Sequence, residues 1–88
     1  MSIKNKRKHF KLVEFKKGEL YSCAYSLTIK DENNCVIGLL ESYTPFVVLE
    51  VDTIEFLWSR TVHILSTDGV CGFIFADQRY VKNLNAKP

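Results

Sequence analysis

Short apolar runs alternate with polar breaks along most of the chain, and this rhythm predicts β-strands. Residues 1–9 (MSIKNKRKH) are the exception: basic, polar, with a lone Ile3 and no face to bury, they are expected to form a mobile arm. Phe10, Leu12, Val13 and Phe15 enter the globular part, and Lys17-Gly18 punctuates before a strand at Leu20–Tyr25. Leu27, Thr28 and Ile29 suggest continuation. Asp31-Glu32-Asn33-Asn34 is a turn cluster, and Cys35–Leu40 reads as the returning strand. Pro45 sits just before Phe46–Val51, the clearest β-branched and apolar run, where its missing N–H does least harm. A polar interval over Asp52–Trp58 is expected to be a loop. The tail, Asp77–Leu84, suggests one short helical turn and a last strand. Five or six short strands in this space mean an all-β barrel or sandwich.

Arg60–Thr67 and Val70–Phe75 flank Asp68-Gly69, a strong hairpin signal, since a two-residue loop wants positive φ at both positions. With that loop Thr67 faces Val70, and Val62, Ile64, Ser66, Cys71, Phe73 and Phe75 share one face. His63, Leu65, Gly72 and Ile74 share the other. Both faces are fairly apolar, which suits a small curled sheet covered on both sides for part of its length.

Length and composition narrow the class. Eighty-eight residues make one small domain, and a hydrophobic fraction of 47% is enough for a packed core. The net charge of +2 conceals an asymmetry. Residues 1–17 hold seven Lys/Arg and one acid; residues 18–88 hold five Lys/Arg and nine acids. The three cysteines, Cys23, Cys35 and Cys71, are odd in number and lack a C-x-x-C spacing, so they are expected to be reduced, structural thiols in a cytoplasmic protein. The longest apolar run, Val70–Ala76, is far short of the ~20 residues of a membrane helix, and no signal-peptide pattern follows the basic start. A soluble chain with no membrane contact is expected.

The order of signals resembles the SH3-like barrel: a strand, a long irregular hairpin loop, a strand with an apolar V-x-L core, a second loop, a tight distal hairpin, a 3-10 turn and a closing strand. Leu20-Tyr21 and Tyr25 are similar to part of the family's first-strand box. Gly72-Phe73-Ile74 followed by Tyr80-Val81 resembles its G-x-I-P-S-N-Y-V ending, and Trp58 falls near its tryptophan. The resemblance implies a small SH3-like barrel over residues 10–84, with a flexible basic arm at 1–9 and a tail at 85–88. Divergent prokaryotic and phage-type, Tudor-like or KOW-like barrels fit best. It also implies that Ile74 points inward and Phe73 outward, the reverse of the face chosen above.

Candidate chemistry is sparse. The only tempting nucleophile–base pair is Cys71 with His63, and the two-residue loop puts them on opposite faces, so no enzyme is expected. No Gly-rich phosphate loop, metal-spaced set or hydrolase motif occurs, and neither cofactor nor metal is expected. Eleven aromatic residues are more than so small a barrel can bury. Tyr43, Trp58 and Tyr80, with Tyr25, fall at strand ends or loops, where they either cap the barrel or meet a partner. Beside them Glu50, Asp52 and Glu55 form an acidic stretch, either solvated or facing basic residues of a partner. The chain is therefore expected to be a non-catalytic interaction module, an accessory or inhibitor-type protein of the kind phages encode, binding a protein through Tyr43, Glu50, Asp52, Glu55, Trp58 and Tyr80. The alternative is nucleic-acid binding through Lys4, Lys6, Arg7, Lys8, Lys11, Lys16 and Lys17, as a phosphate-contacting arm on a KOW- or Tudor-like barrel. A monomer or weak homodimer is expected, the dimer through an exposed edge such as Leu20–Tyr25.

Overall fold

The computed structural model describes residues 12–85, apart from the side chains of residues 54–56. The basic arm at 1–9, with Lys4, Lys6, Arg7 and Lys8, lies outside the described residues, as do Lys11 and the Glu55 side chain.

The all-β expectation holds. Seven strands are present among the described residues: β1 (Leu20–Cys23), β2 (Leu27–Lys30), β3 (Val36–Leu40), β4 (Phe46–Phe56), β5 (Ser59–Ser66), β6 (Cys71–Asp77) and β7 (Val81–Asn83). One 3-10 turn, Gln78–Tyr80, separates β6 from β7. Every pairing is antiparallel, and the sheet order is β3-β2-β6-β5-β4-β1-β7, a single sheet curled into a half-barrel. The long connection expected between the first two strands contains the β2–β3 hairpin, whose turn is closed by Asp31 Oδ1 accepting from the backbone N–H groups of Asn33 and Cys35.

Two expectations need correction. Asp52–Trp58 is not a loop: β4 runs on to Phe56 and turns through Leu57-Trp58, with Phe56 opposite Ser59. The polar residues there were misleading because this part of the β4–β5 hairpin needs no apolar periodicity to keep its backbone pairing. Register shifts between Val48 and Glu50 and between Val51 and Glu55 accommodate extra residues in β4. Such bulges bend a strand and raise its twist, which helps the sheet curl. Nor is Leu20–Tyr25 an edge: β1 ends at Cys23 and is paired on both sides, with β4 and with β7, while the sheet edges are β3 and β7.

The distal hairpin differs by one residue from its expected register. Ser66 N–H donates to the Val70 carbonyl, the Ser66 carbonyl accepts from Gly69 N–H, and Ser66 Oγ accepts from Val70 N–H. The loop is thus Thr67-Asp68-Gly69, three residues, with Gly69 at φ +87° closing it. A glycine tolerates that left-handed geometry without steric cost. Leu65 pairs with Cys71, Ile64 with Gly72, His63 with Phe73 and Val62 with Ile74. The slip moves every β6 side chain to the other face. Val62, Ile64, Ile74 and Ala76 now line the core, whereas His63, Leu65, Cys71, Phe73 and Phe75 share the outer face. Ile74 inward and Phe73 outward is the arrangement the family resemblance implied.

The core joins Phe15, Tyr21, Cys23, Leu27, Ile29, Leu40, Phe46, Val48 and Val81 to this inner face. Complete burial of a large apolar side chain such as Phe46 contributes about 1.5–3 kcal/mol. Gly72 lets β2 cross closely: a Cβ there would lie 2.6 Å from Ile29 Cγ2 and 2.8 Å from the Lys30 carbonyl. Among the described residues no helix is long and apolar enough to cross a membrane.

Candidate functional site: an aromatic cluster at the 3-10 turn

Where β6 ends, Asp77 caps the 3-10 turn, its Oδ1 accepting from Arg79 N–H at 3.0 Å. The same carboxylate receives Arg79 Nε on Oδ1 at 3.0 Å and Nη2 on Oδ2 at 2.7 Å. This two-pronged contact fixes the guanidinium plane. Its carbon lies 4.1 Å from the Trp58 ring centroid and 5.5 Å from that of Tyr80. Both distances are within cation–π range. Arg79 holds the Asp77 carboxyl below the usual carboxylate range, chiefly by side-chain hydrogen bonding.

Tyr25 completes the cluster. Its ring meets Tyr80 edge to face, with centroids 5.8 Å apart, and its hydroxyl accepts from Asp77 N–H at 3.0 Å. Burial pushes the Tyr25 hydroxyl up. Backbone bonds tie the elements together: Gln78 N–H donates to the Trp58 carbonyl at 2.7 Å, and Ala24 N–H to the Tyr80 carbonyl at 2.9 Å. Beneath the turn, buried Gln78 exchanges hydrogen bonds with the backbone of Val13. Tyr25, Trp58 and Tyr80 nevertheless remain about two-fifths exposed, at 38%, 42% and 42%. The fold therefore collects rings from the β1–β2 connection, the β4–β5 turn and the 3-10 turn, and presents them to solvent.

The predicted site residues do not all meet there. Tyr43 is held by its backbone, its N–H donating to the Cys23 carbonyl at 2.7 Å with φ +64°, and the residue is 71% exposed. Glu50 and Asp52 instead line a recess of about 210 Å³ with Val51, Thr61, His63 and Phe73. Glu50 also pairs with Lys17 at 3.1 Å, both side chains well exposed. Such a pair adds little stability. In register, Glu55 stands opposite Arg60. Of the basic residues, Lys16 and Lys17 are described and exposed. A larger groove, about 710 Å³, runs beside the β2–β3 turn and is lined in part by Lys30, Asp31, Glu32, Phe73 and Phe75. Among the described residues no group of three or more His, Cys, Asp or Glu is placed to hold a metal ion.

Sequence reasoning underrated Asp77 and Arg79. Their two-residue spacing at the start of a turn was a usable local signal, since an Asp cap can take both the backbone N–H and the side chain of the second residue on. The stacking of Arg79 on Trp58 was not readable, because it depends on the distant β4–β5 turn reaching the 3-10 turn. Compared with family models, curated proteins and solved structures, the chain finds no match.

Proposed function

We propose that this chain is a non-catalytic interaction module of SH3-like architecture that binds a protein partner through Tyr25, Tyr43, Trp58 and Tyr80. The observation that carries it is the exposed Trp58–Arg79–Tyr80 cluster, braced by Asp77 and Tyr25. Large rings with fixed geometry lose little conformational freedom on docking, which is why Trp, Tyr and Arg dominate interface energetics. The architecture is supported by the element order: an irregular excursion holding β2 and β3, then β4, a turn, β5, a tight distal hairpin, β6, a 3-10 turn and a closing strand. A small accessory or inhibitor-type protein acting by occupancy in the cytoplasm fits these features, and the three cysteines are all free thiols. Glu50 and Asp52 would form a second, acidic margin rather than part of the aromatic contact.

The test is affinity capture from the native cell with wild type and Trp58→Ala, each with and without nuclease, after circular dichroism shows that both are folded. Wild type should retain a protein partner through nuclease treatment, and Trp58→Ala should lose it. Equal capture by both variants, or loss of all captured protein on nuclease treatment, contradicts the proposal. Loss on nuclease treatment would favour the basic residues 4–17 as a nucleic-acid contact.

A further inference from the structure

The corrected register brings together two side chains that the two-residue loop would have separated. His63 and Cys71 lie diagonally across the outer face of the β5–β6 hairpin, with Cys71 Sγ 3.3 Å from His63 Nε2. A thiol donating to an unprotonated Nε2 is the ground state of a nucleophile–base pair. The imidazole is held by stacking on Phe73, with centroids 4.6 Å apart and planes 20° from parallel. Glu50 faces His63 from β4, and Glu50, Asp52 and His63 line one recess. Among the described residues, Lys17, on Glu50, and Lys30, opposite Phe73 on β2, are nearby cations. Cys71 is exposed, so a small molecule in solvent can reach it.

We propose that Cys71 is a base-assisted thiol that undergoes exchange with low-molecular-weight disulfides such as oxidised glutathione. The Cys71 S–H proton passes to His63 Nε2, and the thiolate attacks one sulfur of the disulfide. A new S–S bond forms to Cys71 as the original one breaks, and the departing thiolate takes the proton from the imidazolium. Cys71 sulfur is oxidised, the departing sulfur is reduced, and no further oxidant enters. The product is a reversible mixed disulfide on the outer face, beside His63 and Phe73 and separate from the aromatic cluster.

The chain carries its own control. Cys35 is also exposed, but among the described residues its Sγ meets a backbone carbonyl, that of Asn33 at 3.9 Å, rather than a base, while Cys23 is buried. The folded full chain is exposed briefly to oxidised glutathione at neutral pH, quenched with acid, and its mixed disulfides mapped by mass spectrometry. Cys71 should react at least about tenfold faster than Cys35, a modest share of what a positioned base supplies. His63→Gln, on a solvent-facing position, should bring Cys71 down to the Cys35 rate without changing Cys35. A Cys71 rate no greater than that of Cys35, or an advantage that survives His63→Gln, overturns the proposal.

Discussion

Two aromatic clusters in this small sheet are built in the same way and end in opposite environments. Inside, Tyr21 lies between Phe15 and Phe46, with centroid distances of 5.1 and 6.2 Å, and its hydroxyl donates to the Glu14 carbonyl while accepting from Lys16 N–H. At the 3-10 turn, Tyr25 meets Tyr80 edge to face, and its hydroxyl likewise satisfies a backbone N–H, that of Asp77. Tyr21 and Phe46 are completely buried, whereas Tyr25, Trp58 and Tyr80 are not. Rings left about two-fifths exposed gain less hydrophobic stabilisation than fully buried ones. The inner cluster holds the fold together. The outer one keeps fixed rings in contact with solvent, and this is the physical basis for proposing it as a docking surface.

Substitutions should separate the two clusters, beginning with the inner one. Phe46→Ala should cost about 3–5 kcal/mol in a urea titration, because a large fully buried ring is removed from a packed site. A loss below about 1 kcal/mol would mean that this core is loosely packed. Tyr21→Phe should cost about 1–3 kcal/mol, leaving Lys16 N–H without its partner. It should also change the alkaline limb. Burial raises the Tyr21 hydroxyl above its ordinary value of 10.0, so the folded state keeps a proton that the unfolded state has lost. Wild-type stability therefore falls as pH rises above that value, and the fall should be shallower in Tyr21→Phe. Cys23 and Tyr25 are raised in the same sense and contribute to the slope that remains.

The outer cluster should respond at the acid end, and more weakly. Arg79 lowers the Asp77 carboxyl below its ordinary value of 3.8. The resulting stabilisation is fully present above that value and is lost as pH falls through the lower folded one. Asp77→Asn should flatten this acid limb in urea midpoints measured between neutral and strongly acidic pH. It should also loosen Arg79 over Trp58, seen as a change in tryptophan fluorescence. An unchanged acid limb with unchanged fluorescence would show that the ion pair does not organise the cluster.

Much of this was legible along the chain, and the failures have physical causes. The strand around Phe46–Val51, the turn at Asp31–Asn34 and the 3-10 turn before Tyr80 follow from β-branched runs and turn residues. The Asp68-Gly69 signal found the hairpin but not its register. A glycine at positive φ closes a three-residue loop as readily as a two-residue one, and Ser66 Oγ, which accepts from Val70 N–H, tips the choice. That single step decided which face carries Phe73 and whether Cys71 meets His63. Trp58 and Tyr80 stood out as candidate contacts, yet their meeting through Arg79 depends on tertiary closure. Glu50 and Asp52 looked adjacent to the aromatics in sequence, but β4 carries them to a separate recess.

The most direct measurement is a calorimetric titration of the captured protein partner with wild type, Trp58→Ala and Phe75→Ala. Phe75 is 54% exposed on the outer hairpin face, so the third protein removes an equally visible ring from the other surface. Trp58→Ala should weaken binding at least about thirtyfold, the loss of one interface hot spot, while Phe75→Ala should stay within about threefold of wild type. Unchanged binding by Trp58→Ala, or the larger loss in Phe75→Ala, would contradict the assignment of the aromatic cluster as the docking surface.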